Sequence, residues 1–467
     1  MLPSPLTLLA AVVAAFFVVL TVVRGPTDAD FWWHLTTGRL ILESGSVPSV
    51  DPFSFAYEGP WVAHEWLGEA IIAALVDAGG FPLTSALFGL ATAAVLVFPA
   101  VALHRRGVAF RALLPWVVIG TYTLASFATV RPQVLSWGFL AAVISLLIGL
   151  TADHRWRPWL VLPLMLGWAN VHGLYVVGIG VLGIYALFTV LGRTSLAPRR
   201  WTAIGMLIGG IASATITPAG PAGLLYPLRY LRQDDWGTAF IAEWQSADFT
   251  DPRQWGVALL ILSVALLFRR SPAGWLTSVA VIGLLAAVIA VRNAPLAVLL
   301  SMPMLSLALH TRLGSSRTAQ PERHRGRRWL ETGLATVVIG SIFVVIPNVA
   351  SGSEESAFPT AAFDRLDELE PDARLLVDYD WAGYAIHRMR EGGGSVFIDG
   401  RSDMYPRAVF EDYLALRQAH PGWERLLSGY RVEAILLPPN APLTAEALGT
   451  WCEAFRDERS VLLLPAC

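Results

Sequence analysis

The chain has 467 residues, a formal net charge of −2 and 55% hydrophobic residues, but only 15% charged residues. Soluble domains contain roughly a quarter charged residues, so this composition excludes an ordinary soluble protein. The small net charge provides no basic field for nucleic acid. Two cysteines, Cys452 and Cys467, are too few for a disulfide framework, although one bridge can form if the C-terminal segment is exported.

Apolar runs long enough to cross about 30 Å of hydrocarbon follow one another along the chain. We predict about eleven transmembrane helices, near residues 6–23, 82–103, 110–128, 133–151, 158–171, 173–192, 201–217, 254–268, 273–291, 294–311 and 329–347. The first run has no basic residues ahead of it and no small-residue cleavage site after it. We therefore interpret it as an uncleaved transmembrane helix rather than a signal peptide.

The arginines predict the orientation of these helices. If the N-terminus is cytoplasmic, every arginine-rich loop lies on the cytoplasmic side, as the positive-inside rule expects. This orientation requires that residues 64–79 do not cross the membrane. Their acidic residues, Glu65, Glu69 and Asp77, favour an amphipathic helix lying along the interface. The outer face then carries residues 24–81, residues 218–253 and the segment after about 348.

The C-terminal segment has charges throughout and a different periodicity. Short buried strands are predicted in RLLVDYD, SVFIDGR, VEAILLP and SVLLLP, with helices near 381–390, 405–419 and 444–456. Alternating strands and helices indicate a small α/β domain. We predict two domains: residues 1–348, a membrane domain that includes the first external loop 24–81, and residues 349–467, an extracytoplasmic α/β domain.

The first external loop carries the strongest candidates for chemistry. Asp28 and Asp30 lie close to the predicted membrane surface and are followed by Trp32, Trp33 and His34. An interfacial aromatic belt with incidental acids is one interpretation. We favour a catalytic loop, because an aspartate beside a low-dielectric surface and close to a histidine can act as a base or as a metal ligand.

This loop resembles a known family. The run Asp30-Phe-Trp-Trp-His34 is similar to the D-P-W-[FY]-[NH] motif of oligosaccharyltransferase catalytic subunits, with Phe31 in place of the proline. An aspartate in the first external loop, directly after the first transmembrane helix, is the hallmark of the GT-C glycosyltransferases, and the chain resembles bacterial members of that superfamily. The resemblance implies transfer of a sugar from a polyprenyl-phosphate carrier to an acceptor on the outer face. Asp30, with Asp28 as a second candidate, would deprotonate or position the acceptor. We find no WWDYG-type signature, so protein N-glycosylation is not supported.

His34 and further polar residues are candidates for binding the substrate or the carrier phosphate. His64 and Glu65 close the same loop, although Glu65 is equally well explained as an acid at the start of a helix. Arg131, His172 and Arg292 border predicted spans on the predicted outer side, where they could stabilise a leaving phosphate. Either arginine could instead be a residue snorkelling at a helix end.

Several polar residues admit a simpler explanation. Asp51, which precedes a proline, is interpreted as a turn residue. Asp378, Asp380, Asp399, Arg401 and Asp403 follow predicted strands, where α/β sheets bind ligands, but we favour turn and cap roles for them.

Cofactor and alternative functions stay open at this point. Nucleotide-binding, serine-hydrolase and zinc motifs do not occur. A divalent metal, Mg²⁺ or Mn²⁺, would have Asp30 as its ligand. The alternatives are a transporter or flippase of lipid-linked sugars and a non-catalytic envelope-assembly protein. The sugar, the acceptor and the carrier length are not readable from the sequence.

Overall fold

The computed structural model describes residues 4–151, 156–194, 198–226, 241–271, 273–314 and 354–466. The chain divides into two compact units, one of residues 1–23 and 82–350 and the other of residues 24–81 and 351–467. Helices α1 to α11 are Pro5–Arg24, Ala29–Ser44, Trp66–Arg105, Phe110–Ala125, Pro132–Gly149, Val161–Val171, Tyr175–Val190, Arg200–Ala214, Trp255–Leu267, Gly274–Ile289 and Ala294–Arg312.

The first unit is a bundle of apolar helices. Ten predicted transmembrane segments coincide with helices to within a few residues, and the eleventh, 329–347, lies outside the described residues. Within the described ranges, five helices are long and apolar enough to cross a membrane, and α11 has the largest buried fraction of these. The protein is a multi-pass membrane protein.

Close backbone approach joins α1 to α3 inside this bundle. Thr21 Oγ1 donates to the carbonyl of Ser85 at 2.8 Å. A Cβ at Gly89 would lie 2.7 Å from the carbonyl oxygen of Phe17, so only glycine allows this spacing.

Helix α3 is two helices joined at a break. Gly79 and Gly80 have non-helical dihedral angles, and Gly80 has φ 70° and ψ −174°, a conformation that is essentially restricted to glycine. The break falls where the predicted interfacial segment 64–79 gives way to the predicted span 82–103.

Among its described residues, the second unit is built around a five-stranded sheet with the order β2-β1-β3-β5-β4. The strands are β1 Arg374–Val377, β2 Ser395–Val396, β3 Ala434–Leu437, β4 Cys452–Arg456 and β5 Val461–Leu464. β1 runs parallel to β2 and β3, whereas β5 is antiparallel to β3 and β4. The helices of this segment are α12 Glu354–Ala357, α13 Thr360–Leu369, α14 Ala382–Met389, α15 Arg407–Arg417, α16 Trp423–Tyr430 and α17 Pro442–Ala447.

The predicted α/β character is confirmed, but one element is wrong. The sequence predicts a helix over 444–456, whereas α17 ends at Ala447 and residues 452–456 form the edge strand β4. Pairing with β5 overrides the local preference, because tertiary contacts outweigh propensity in a short segment.

The loop of residues 24–81 belongs to this second unit, although we predicted from the sequence that it is part of the membrane domain. Ser54 bridges Val396 in parallel. Phe55 N donates to the Val396 carbonyl at 3.1 Å, and Val396 N donates to the Phe53 carbonyl at 2.9 Å. The loop therefore continues the sheet beyond β2. Helix α2 also packs on α14, where a Cβ at Gly383 would lie 2.1 Å from the carbonyl oxygen of Ala29.

Candidate active site

Asp30 lies in the first turn of α2 and is held by neighbours on the helix. Asp28 is the N-cap residue, and its carboxylate accepts a hydrogen bond from Asp30 N at 3.1 Å. Trp33, one turn later and buried, donates its indole N–H to Asp30 Oδ1 at 3.1 Å. Asp28 thus satisfies a free N–H at the helix start, and Trp33 sets the direction of the Asp30 carboxylate.

The C-terminal segment supplies the other side of this site. A Cβ at Gly400 would lie 2.2 Å from Asp30 Oδ1, so the carboxylate rests against bare backbone just after the Asp399 position. The negative charge of Asp30 also reaches Tyr379 and Asp380, which follow β1. Asp30 therefore lies at the carboxyl ends of the parallel strands, the usual location of ligand sites in α/β sheets.

Asp380 is an acid of this neighbourhood whose pKa is shifted. Burial raises its pKa above the ordinary value, the charges of Asp378 and Asp30 add to this, and Arg417 opposes it. Asp378 is itself buried and paired, with Arg417 Nη2 at 2.9 Å from its Oδ2. Acids placed in different environments within one site are the usual arrangement for proton transfer.

A second cluster lies on α2 and at the beginning of α3. His34 Nδ1 is 3.4 Å from Glu69 Oε1 and 3.6 Å from Glu65 Oε2. His34 and Glu69 are 3% and 1% exposed, and Glu69 Oε2 has no hydrogen-bond partner among the described residues. The donor atoms of these three side chains all lie within 4.8 Å of one another, which is a grouping that could hold a metal ion.

His64 connects this cluster to the C-terminal segment. Its Nε2 lies 3.4 Å from Glu65 Oε1, and its Nδ1 lies 4.0 Å from Asp403 Oδ2. Burial would lower the pKa of His64, but the hydrogen bond and charge of Glu65, followed by the charge of Asp403, raise it to about 9. His64 is therefore a cation at neutral pH, flanked by two carboxylates.

A buried ion network supports both clusters. Arg401 donates to Asp399 at 2.6 and 2.8 Å and to Asp51 at 2.7 Å, and Tyr405 donates its hydroxyl to Asp399 at 2.6 Å. Burial alone would raise the pKa of Asp399, but the charge and hydrogen bonds of Arg401 hold it below its ordinary value. The network fixes the residues on either side of Gly400.

Arg131 and Arg292, the two arginines that the sequence offers as phosphate-binding candidates, contact one short segment of the first unit, Ala242–Trp244. Arg131, at the N-cap position of α5, lies 3.2 Å from Glu243 Oε1. Arg292 stacks over Trp244 at 4.4 Å from the ring centroid. His172 follows α6 and accepts a hydrogen bond from Leu174 N at 3.0 Å. The first two residues therefore present their charges around a common segment.

No protein-family model and no curated protein sequence matches the chain. Solved structures do match it. The oligosaccharyltransferase of Archaeoglobus fulgidus, tethered to an acceptor peptide containing the NVT sequon, superposes with a TM-score of 0.62 and 10% identity, covering 93% of this chain and 69% of that chain. ArnT from Cupriavidus metallidurans, bound to undecaprenyl phosphate, gives a TM-score of 0.54 and 14% identity, covering 98% and 97%. The chain has the GT-C fold. The archaeal enzyme in complex with Zn and sulfate is also similar, with a TM-score of 0.55, 10% identity and coverage of 92% and 68%.

The predicted GT-C fold is confirmed, and the structure brings to the candidate site further residues that the sequence did not select. Glu69 was interpreted only as an acid of an interfacial helix, yet it lies four residues after Glu65 and so on the same helix face. Asp380 was considered as a strand-end residue but interpreted as a turn or cap residue, and the same rule for strand ends could have selected Gly400. Turn preference explains Asp378, which accepts from Asp380 N at 3.2 Å, but it does not explain Asp380.

Proposed function

We propose that this chain transfers a sugar from a polyprenyl-phosphate-linked donor to an acceptor of the cell envelope. The observation that carries the proposal is the position of Asp30, whose carboxylate lies against Gly400 and within electrostatic reach of Asp380 at the carboxyl ends of the sheet. The GT-C fold supports it, because solved members were obtained with dolichol phosphate, undecaprenyl phosphate and an acceptor peptide.

The proposed reaction uses Asp30 as the general base. Asp30 takes the proton of the acceptor hydroxyl while that oxygen forms a bond to the anomeric carbon of the sugar. The bond between the anomeric carbon and the phosphate oxygen breaks, and its electron pair leaves on the polyprenyl phosphate. Trp33 keeps the Asp30 carboxylate aligned through its 3.1 Å hydrogen bond, and this alignment limits the orientations the acceptor must sample.

The leaving phosphate requires positive charge. We propose Arg131, His172 and Arg292 for this role, in which charge-assisted hydrogen bonds would stabilise the developing anion. In this structure Arg131 pairs with Glu243 and Arg292 stacks on Trp244. Both contacts would be replaced by contacts to the phosphate when the carrier binds. A divalent metal, when bound, would add charge stabilisation of the same kind.

The loop of residues 24–81 offers two possible locations for a divalent metal, Asp30 and the group of His34, Glu65 and Glu69, and the second fits better. Asp30, the ligand predicted from sequence, already accepts the Trp33 N–H on one oxygen. His34, Glu65 and Glu69 instead offer three donor atoms close together. Mg²⁺ and Mn²⁺ favour oxygen donors, whereas an imidazole in the set favours Zn²⁺.

We further propose that the N-terminus is cytoplasmic and that the second unit is extracytoplasmic. The arginine-rich loops support this orientation, and Cys452 is disulfide-bonded, as expected in an oxidising compartment. A membrane-impermeant maleimide should label Ser46→Cys in intact cells and Arg269→Cys only after permeabilisation. The reverse pattern would contradict the orientation.

The function is tested by mass spectrometry of envelope lipids and glycans in a deletion strain. The strain is complemented with the wild type, with Asp30→Asn, or with Asp77→Asn as the matched control, an acid of the same loop that pairs with Arg39 at 2.9 Å. We expect one sugar modification to disappear and its polyprenyl-phosphate donor to accumulate, with rescue by the wild type and Asp77→Asn only.

Full rescue by Asp30→Asn would contradict a catalytic role of Asp30. A donor trapped on the cytoplasmic leaflet would favour a flippase. Essential residues confined to 351–467 would favour an assembly protein.

A further inference from the structure

We propose that His34, Glu65 and Glu69 form a binding site for one Zn²⁺-type transition-metal ion, which joins helix α2 to the start of α3. The proposal concerns metal binding and stands independently of sugar transfer. All three ligands belong to the first external loop, within the second unit.

The spacing of the donor atoms is that of ligands around one ion. His34 Nδ1 lies 3.4 Å from Glu69 Oε1 and 3.6 Å from Glu65 Oε2. Four ligands at about 2.0–2.1 Å from a tetrahedral ion are separated by roughly 3.4 Å. Charge-assisted N–H···O contacts without an ion are shorter, at about 2.7–2.9 Å. The observed distances are therefore long for direct ion pairs and suitable for a shared cation.

Burial and charge point to the same conclusion. Glu69 is 1% exposed, and its Oε2 has no hydrogen-bond partner among the residues that the structure describes. An unsatisfied buried carboxylate oxygen is costly, and a divalent cation held by Glu65 and Glu69 would supply a partner for Glu69 Oε2 and positive charge for both carboxylates.

The local fold presents the two carboxylates together. Glu69 N donates to the Glu65 carbonyl at 3.0 Å, so the two residues are one helical turn apart and share a face. His34 presents its ring from α2, and the His64 ring at 3.4 Å from Glu65 Oε1 is placed to orient that ligand.

The donor types select the class of ion. One imidazole nitrogen and two carboxylates suit Zn²⁺, whereas Mg²⁺ and Ca²⁺ prefer sites made of oxygen alone. Three protein ligands leave the fourth tetrahedral position open to water or to a substrate oxygen. Because His34 follows Asp30 by one turn of α2, the ion would also hold the helix face that carries Asp30.

The test uses the full chain in detergent, stripped with a chelator and titrated with Zn²⁺ alone. Zinc content by mass spectrometry should reach about one ion per chain, and Zn²⁺ should raise the unfolding temperature. Co²⁺ in place of Zn²⁺ should give the visible absorption of a tetrahedral site. Glu69→Gln and His34→Asn should each weaken binding by roughly tenfold or more.

Asp77→Asn is the matched control, since it removes an exposed acid from the same helix. It should bind Zn²⁺ as the wild type does. The proposal is overturned if the stripped wild type takes up no Zn²⁺, or if Asp77→Asn loses as much affinity as Glu69→Gln. The titration of the wild type decides the question even if a ligand variant does not fold. No donor or acceptor is present, so the result is separate from the outcome of the sugar-transfer experiment.

Discussion

Arg401 and Asp51 lie 350 positions apart in the sequence, yet Arg401 Nη1 donates to Asp51 Oδ1 at 2.7 Å in a fully buried pair. The same guanidinium contacts the rings of Phe53 and Trp61, at 5.1 and 4.6 Å from their centroids. This contact joins the loop of residues 24–81 to the C-terminal segment. It also determines the path of the chain through Gly400, and therefore the surroundings of Asp30.

Removal of Arg401 is expected to destabilise the second unit strongly. Arg401→Met leaves Asp51 and Asp399 buried without their cation, which costs about 3–5 kcal/mol. Arg401→Lys should also be destabilising, because an ammonium cannot replace the forked contacts to both carboxylates. Denaturant unfolding followed by tryptophan fluorescence, with Trp61 next to the guanidinium, measures the loss.

Arg407→Gln serves as the control for this experiment. Arg407 forms an exposed pair with Glu411 on α15, and such pairs contribute about 0.5 kcal/mol or less. Equal losses for the Arg401 and Arg407 variants would show that the buried network does not hold the unit together.

Gly400→Ala is expected to reduce transfer without unfolding the protein. The new methyl group would lie 2.2 Å from Asp30 Oδ1, so the carboxylate must move. A displacement of about 1 Å can lower turnover by about 10²-fold, and we expect the loss in kcat with little change in the KM for the donor. Gly429→Ala is the control, because a Cβ there meets nothing within 4 Å. Wild-type turnover in Gly400→Ala would show that the position of Asp30 is not critical.

The two roles considered for Asp28 can be separated by a pair of substitutions. Asn caps helices as well as Asp does, so Asp28→Asn should retain stability, whereas Asp28→Ala should lose about 1 kcal/mol. If capping is the role of Asp28, the Asn variant also keeps its activity. Loss of turnover in an Asp28→Asn variant that remains stable would show that Asp28 has a catalytic role beyond capping. Thermal unfolding and donor consumption are the two measurements.

His387 makes the stability of the second unit depend on pH. Burial and then the charges of Arg39, Arg388 and Arg390 lower its pKa to about 4, and the neutral ring lies 3.2 Å from Thr36 Oγ1. Between pH 6.5 and pH 4 the unfolded state binds a proton that the folded state does not. The stability is therefore complete above about pH 6.5 and decreases as the pH falls, by on the order of 3 kcal/mol at pH 4.

This dependence is measured by comparing the wild type with His387→Gln. The stability of the wild type relative to the variant should decline from pH 7 to pH 4, because the variant has no group to titrate at this position. His420→Gln, a change at an exposed histidine of the same unit, is the control. A constant difference between the wild type and His387→Gln across this range would contradict the prediction.

Much of the architecture was predictable because it depends on local pattern. The helices follow from apolar runs, and Asp378 has the cap role predicted for it. The cap role of Asp28, which the sequence offered as a catalytic candidate, was not predicted. Asp51 also fulfils its predicted turn role, with Phe53 N donating to it at 3.0 Å. Its second partner, Arg401, was not predictable, because no local rule pairs residues 350 positions apart.

Sequence alone was enough to establish the membrane class, ten helix positions and the α/β character of the C-terminal segment, and to single out the Asp30 loop as the candidate site. Hydrophobic periodicity and a short motif are sufficient for these, since both are properties of neighbouring residues. The tertiary structure decided which residues surround Asp30, that the first loop extends the sheet at Val396, and that Glu69 faces His34. These relationships arise from packing between distant segments, where burial and close backbone approach at Gly383 and Gly400 select a single arrangement.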